Sequence, residues 1–231
     1  HAIMNIDVLS FKRLAYRVFD ELGIKNVEVL EETGKNLVLR KIASDNAARL
    51  GVMKANMNRI GYVSEVKSLL SEFVQYNISP AELKRHIESG RLSENLRAKL
   101  SDVLIMYVEF NRFMEERYIT AEEILNVLSD VAEKSEILKD AVICFDEFTG
   151  FTPIQNELMK KLLVVSKKIY VTLTIDSDED MFHTKGMHEL FYMPKKTIQS
   201  LLKMADMLHV DVEDAVILND NHRLKNAPEL L

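Results

Sequence analysis

Tryptophan is absent from this 231-residue chain, and cysteine occurs once, at Cys144. A single thiol cannot close an intrachain disulfide, so burial must hold the fold together, and a reducing, cytoplasmic setting is expected. Only seven glycines and four prolines are present, which leaves few long loops and points to much helix. No apolar run approaches the roughly 20 residues that cross a bilayer, and no signal-peptide pattern stands at the start. A membrane is therefore not expected as a partner. The six histidines lack metal-ligand spacing, and "DSDED" at 176–180 lacks the length and closing Glu of an EF-hand. Also missing is G-x-x-x-x-G-K-[ST], the loop that cradles phosphates in P-loop hydrolases.

What is there suits one large domain, or a domain carrying an inserted subdomain. Hydrophobic residues make up 47% of the chain, enough to bury a sizeable core without a metal or disulfide. The formal net charge of −6 excludes a blanket nucleic-acid binder, so any such contact needs a local basic patch. One stretch qualifies: Lys12, Arg13 and Arg17, with Phe11 and Tyr16 beside and between them. The chain opens on His1-Ala2-Ile3 ahead of Met4 and closes on Leu230-Leu231 in mid-pattern, as expected of a piece of a longer protein.

Periodicity divides the chain. "NIDVLSF" (5–11) alternates weakly and reads as a short strand, followed by a helix over 12–22 ended by Gly23. A second short strand is expected at 27–30 and a helix over 36–50. From 60 to 139 helical spacing dominates. Val63, Val66, Leu69, Leu70, Phe73 and Val74 make one stripe, Ser79-Pro80 opens a short helix, and Leu96 to Met114 forms a long seam. Thr120 and Glu123 have capping-box spacing. After Asp140 an apolar strand (141–145), a helix from Thr152-Pro153 and a strand over 168–175 argue for a βαβ unit in a parallel sheet. A helix over 197–208 and a last strand within 210–218 follow. The expected organisation is an α/β domain of residues 1–59 and 140–231, with an all-helical subdomain of 60–139 inserted.

"CFDEFTGFTP" (144–153) ends an apolar strand on Asp146 and Glu147, where nucleotide hydrolases hold Mg²⁺. In chain order, "LSFKRLAYRVF" (9–19), "VICFDEFTGFTPIQNELMKKL" (142–162), "IYVTLTID" (169–176) and "LNDNHRLKNAPEL" (218–230) resemble successive motifs of UvrD-type superfamily 1 helicases. The first two are closer to the AddB/RexB family, one of the two subunit types of bacterial AddAB helicase–nucleases. The resemblance covers both ends and the middle of the α/β part and is thin over the helical insert.

That resemblance implies a RecA-like fold that has lost motor activity and scans single-stranded DNA for the Chi signal during recombinational repair of double-strand breaks. It implies a partner, an AddA-type helicase–nuclease subunit, in which ATP and Mg²⁺ serve. The family's iron–sulfur cluster belongs to a C-terminal nuclease domain whose cysteines are not in this chain, so no cofactor is expected here. Asp146, Glu147 and Arg223 then read as a nucleotide-site remnant, and no catalytic or metal-binding residue is expected. Phe11, Lys12, Arg13, Tyr16, Arg17, Phe148 and Phe151 become the DNA-binding candidates, since aromatic faces stack on unpaired bases and cations neutralise phosphates. Their bland alternative is core packing for the rings and a strand-end turn for the carboxylates. Two other readings stay open: a live superfamily 1 motor domain cut before its P-loop, and a helical protein-interaction module.

Overall fold

The computed structural model describes residues 6–25, 28–90, 92–115, 118–176 and 178–218. Its elements are α1 (Phe11–Glu21), α2 (Glu32–Asp45), α3 (Ile60–Gln75), α4 (Pro80–Glu88), α5 (Glu94–Glu115), α6 (Ile124–Val131), a 3-10 turn (Ala132–Lys134), α7 (Glu136–Lys139), β1 (Val142–Phe145), α8 (Pro153–Val165), β2 (Lys168–Val171) and α9 (Tyr192–Leu208). The result is mixed α/β and mostly helical, with a small parallel sheet.

Local chemistry explains where the helices start. The Ser10 side chain accepts the Arg13 N–H at the head of α1, and Pro follows the caps Ser79 and Thr152 in α4 and α8. Both proline-led helices close full capping boxes, with Glu82 and Gln155 reaching back to the cap N–H. The Thr120–Glu123 box also forms, with Glu123 accepting the Thr120 N–H at 2.6 Å. At the other end of α9, His209 takes a left-handed conformation (φ +56°), a position that glycine fills without strain.

Two buried clusters organise the chain. One gathers α2 to α5 around Leu39, Met53, Val63, Leu70, Phe73, Met106, Tyr107 and Phe110. The other joins α1, α6, α8, α9 and the sheet around Val18, Phe19, Ile124, Leu128, Phe145, Leu158 and Leu162. So α2 packs into the bundle and α6 into the sheet's core. Burial of that many large side chains, at about 1.5–3 kcal/mol each, is the main stabilising term.

Buried charge links these parts. Lys35 on α2 is 1% exposed and pairs with Glu32 at 3.0 Å and with Glu122, in the turn before α6, at 3.2 Å. Asp102 on α5 is buried, and its carboxylate accepts the N–H groups of Gly51, Val52 and Met53 at 3.0, 2.8 and 2.8 Å. That carboxylate ties the connection between α2 and α3 to the bundle.

β1 and β2 pair in parallel through α8, with Val142 opposite Lys168 and Phe145 opposite Val171. Ile143, Phe145, Ile169 and Val171 turn toward the core, while Val142 (56% exposed), Cys144 and Tyr170 (48%) face outward. The expected strand at 5–11 has no strand in its described residues, 6–11, of which Phe11 already opens α1, and 210–218 carries none either. Of the expected strand at 27–30, Val27 lies outside the described residues and the rest reduces to a single bridge from Val29 to Ile119. Alternating sequence does not make a strand without a neighbour to satisfy its backbone. Helix α2 sits four residues earlier than expected at its start and ends before 46–50, and α9 starts five residues before Thr197.

Candidate nucleic-acid interface

The loop that follows β1 and the first turn of α1 meet. Phe11, at the start of α1, lies 5.8 Å from Phe148 and 5.8 Å from Phe145, measured between ring centroids. Phe148 and Phe151 stack at 5.1 Å with 14° between their planes, and both stand edge-on to the buried Phe145. Phe11, Phe148 and Phe151 are half-buried, so the cluster is both an edge of the core and part of the surface. Each stacked ring has one face occupied by the other, and further contacts with Phe145 and Phe11 leave only part of the ring surface exposed.

On the same first turns of α1, Lys12, Arg13, Tyr16 and Arg17 are exposed. The Lys12 ammonium sits 5.9 Å from the Tyr16 ring centroid, a cation–π contact, and Tyr16 stands edge-on to Phe19. Arg17 is ion-paired with Asp7 across an exposed surface, which lowers its value as a phosphate contact relative to Lys12 and Arg13. Among the described residues no ion pair engages those two. Sequence order alone places five of these seven residues together. Folding brings Phe148 and Phe151 to them over more than 130 residues.

Asp146 and Glu147 follow directly on β1, beside Thr172, the residue after β2. The Thr172 hydroxyl donates to Asp146 Oδ1 at 2.5 Å and accepts the Glu147 N–H at 3.2 Å. Glu147 is left-handed (φ +60°), an unfavourable state for a residue with a Cβ. Motif reading misses Thr172. Its signal is the register, since Phe145 pairs with Val171 and the next residues must face each other. Thr197, buried on α9, also goes unread; its hydroxyl donates to the Thr149 carbonyl at 2.9 Å and fixes the loop between Glu147 and Thr152.

Asp146, Glu147 and Thr172 form one hydrogen-bonded group at the ends of the two strands. Asp146 is engaged by a hydroxyl, the 231 residues hold no phosphate-cradling motif, and among the described residues no group of three or more His, Cys, Asp or Glu is gathered for a metal. Arg223 lies outside the described residues.

Against this geometry, the model of one protein family, "ADDB, N-terminal", matches residues 1–231. The chain belongs to the ADDB N-terminal family. Curated relatives agree. The B-type subunit of the ATP-dependent helicase/deoxyribonuclease of Lachnoclostridium phytofermentans is 36% identical over 216 residues, covering 94% of this chain. Proteins of the same description from Clostridium acetobutylicum and Thermoanaerobacter sp. X514 are 32% and 34% identical, over 99% and 94% of the chain. The chain spans about a fifth of the length of these relatives: 19%, 20% and 18% respectively. Among the described residues, no helix is long and apolar enough to cross a membrane.

Proposed function

We propose that this chain is the helicase-like N-terminal part of the AddB-type subunit of an ATP-dependent helicase–nuclease, and that it binds and scans single-stranded DNA. In this reading the protein works in recombinational repair of double-strand breaks, Chi is the sequence scanned for, and ATP with Mg²⁺ is turned over in a partner motor subunit. The fold in this reading is a RecA-like domain of residues 1–59 and 140–231, its described strands forming one βαβ unit, with the helical subdomain of 60–139 inserted.

The observation that carries the proposal is the meeting of Phe11 with Phe148 and Phe151 at the end of a parallel strand, next to Lys12 and Arg13, which are free of ion pairs among the described residues. Strand ends of parallel sheets are where such folds place ligands. Half-buried rings at a surface can offer stacking worth about 1–3 kcal/mol per base, and the cations neutralise phosphates without reading sequence. In this reading Asp146 and Glu147 belong to a retired nucleotide site, and Asp146 now serves the Thr172 hydroxyl.

Fluorescence anisotropy with a labelled single-stranded oligonucleotide tests this. Binding should weaken steeply with salt, as counterion release requires. The Arg13→Ala/Phe151→Ala variant should lose one phosphate contact and one stacking platform, weakening binding by about 10-fold or more. Unchanged affinity in that variant, or no binding at low salt by the wild type, refutes the assignment.

A further inference from the structure

The basic side chains are unevenly spread. Residues 33–67 carry seven Lys or Arg against two Asp or Glu, a local charge of +5 in a chain of −6, which leaves −11 for everything else. This stretch comprises most of α2, the connection 46–59 and the first half of α3. Two of its cations are spent inside the structure: Lys35 is buried, and Lys67 bonds Glu32 at 2.6 Å. Lys41 pairs with Asp45 and Arg49 with Glu109. Arg40, Lys54 and Arg59 are exposed and make no ion pair among the described residues.

Two of these adjoin, and the third lies on the same connection. The Arg40 guanidinium reaches the Asn58 carbonyl at 3.4 Å, next to Arg59. Lys54 lies one turn before Asn58, in a run of turns closed by the bonds from Met57 N–H to the Met53 carbonyl and from Arg59 N–H to the Asn56 carbonyl. Beneath them, Asp102 clamps three successive N–H groups of the same connection. The irregular segment is thereby fixed, and its cations are displayed with little further ordering cost. The large side chains exposed beside them, Leu37, Val52 and Ile60, are aliphatic, and Tyr62, two residues beyond Ile60, is half-buried, so charge dominates the exposed patch.

We propose that Arg40, Lys54 and Arg59 form a second nucleic-acid contact, one that holds the phosphate backbone and reads no bases. It lies on the helical bundle, apart from the ring cluster on the sheet's core. It rests on the reading of this chain as a DNA-binding protein, and would give the strand a second, sequence-independent anchor.

The test compares three proteins in salt-titrated anisotropy: wild type, Arg40→Gln/Lys54→Gln/Arg59→Gln, and Arg13→Ala/Phe151→Ala. Each phosphate contact on a single strand contributes about 0.7 to the slope of log affinity against log salt. Losing three should flatten the slope by about 2, so between about 50 and 200 mM salt the wild type should lose about 20-fold more affinity than the triple variant. Arg40→Lys/Arg59→Lys should keep the wild-type slope, because backbone contact needs only the charge. A triple variant with the wild-type slope overturns this proposal, even if Arg13→Ala/Phe151→Ala is impaired and the ring cluster thereby stands. A triple variant that loses association with an acidic protein while its slope is unchanged overturns it too. A wild type that binds no single-stranded DNA sinks both readings.

Discussion

Replacing Lys35 with Met should show how strongly one buried charge couples α2 to the segment leading into α6. Met keeps much of the aliphatic stem that packs in the interior but removes the ammonium. Glu32 is 61% exposed and keeps Lys67 at 2.6 Å, so it loses little. Glu122 is only 15% exposed and is left with a buried, unpaired carboxylate. Orphaning one partner of a fully buried pair costs about 3–5 kcal/mol; the residual water at Glu122 lowers the expectation to about 2 kcal/mol. In a chain of this size that is a fall in Tm of roughly 4–8 °C. Glu122→Gln alone should cost about 1 kcal/mol, since Lys35 still has Glu32. The double variant should recover part of the loss, with a coupling of about 1–2 kcal/mol in a cycle measured by urea unfolding. Additive effects, within about 0.5 kcal/mol, would refute the claim that the pair acts across the junction.

Asp102→Ala should cost about 3 kcal/mol, because it removes three charge-assisted bonds and leaves the Met53 N–H buried without an acceptor; urea unfolding measures it. Glu21 accepts the Ser135 hydroxyl and the Ile137 N–H, and the Ser135 hydroxyl above all holds its carboxyl below the ordinary value of 4.5. Its contribution to stability is therefore present above that value and lost as pH falls through the lowered folded-state pKa. Unfolding midpoints from about pH 6 to 3 should fall more steeply for the wild type than for Glu21→Gln. Finally, His209→Gly should raise stability by up to about 1 kcal/mol, read as a gain in thermal midpoint, by relieving the left-handed conformation at the end of α9.

Much of this architecture is legible before folding, for reasons that vary by element. Ser79-Pro80 and Thr152-Pro153 announce helices because cap, proline and returning Glu or Gln are all local in sequence. The pairing of β1 with β2 is legible because two β-branched, apolar runs flank a helix of suitable length. Residues 6–10 and 210–218 mislead because a strand is defined by its neighbour, and alternation says nothing of whether one is present. Motif order names the seven DNA-contact candidates, and the structure gathers five of them on α1 and adds the two phenylalanines after β1. Lys35, Asp102 and Thr172 are invisible in the sequence. Apart from the local pair of Lys35 with Glu32, their partners lie 87, about 50 and about 25 residues away, and no spacing rule joins a lysine to a distant glutamate. The bundle's charge excess can be counted from sequence, but only the fold separates buried Lys35 from exposed Arg40.

The sheet carries one more consequence. Parallel sheets are ordinarily covered on both faces, yet here Val142, Cys144 and Tyr170 stand in water, and among the described residues no further strand pairs with β1 or β2. β1, Val142–Phe145, has no charged side chain to deter a visitor. Among the described residues its outer edge pairs with no strand, and such an edge is a template for another backbone. Handled alone at high concentration, the protein should therefore stick to itself through this edge, and a lysine at Val142 is the simplest change that would keep it dispersed.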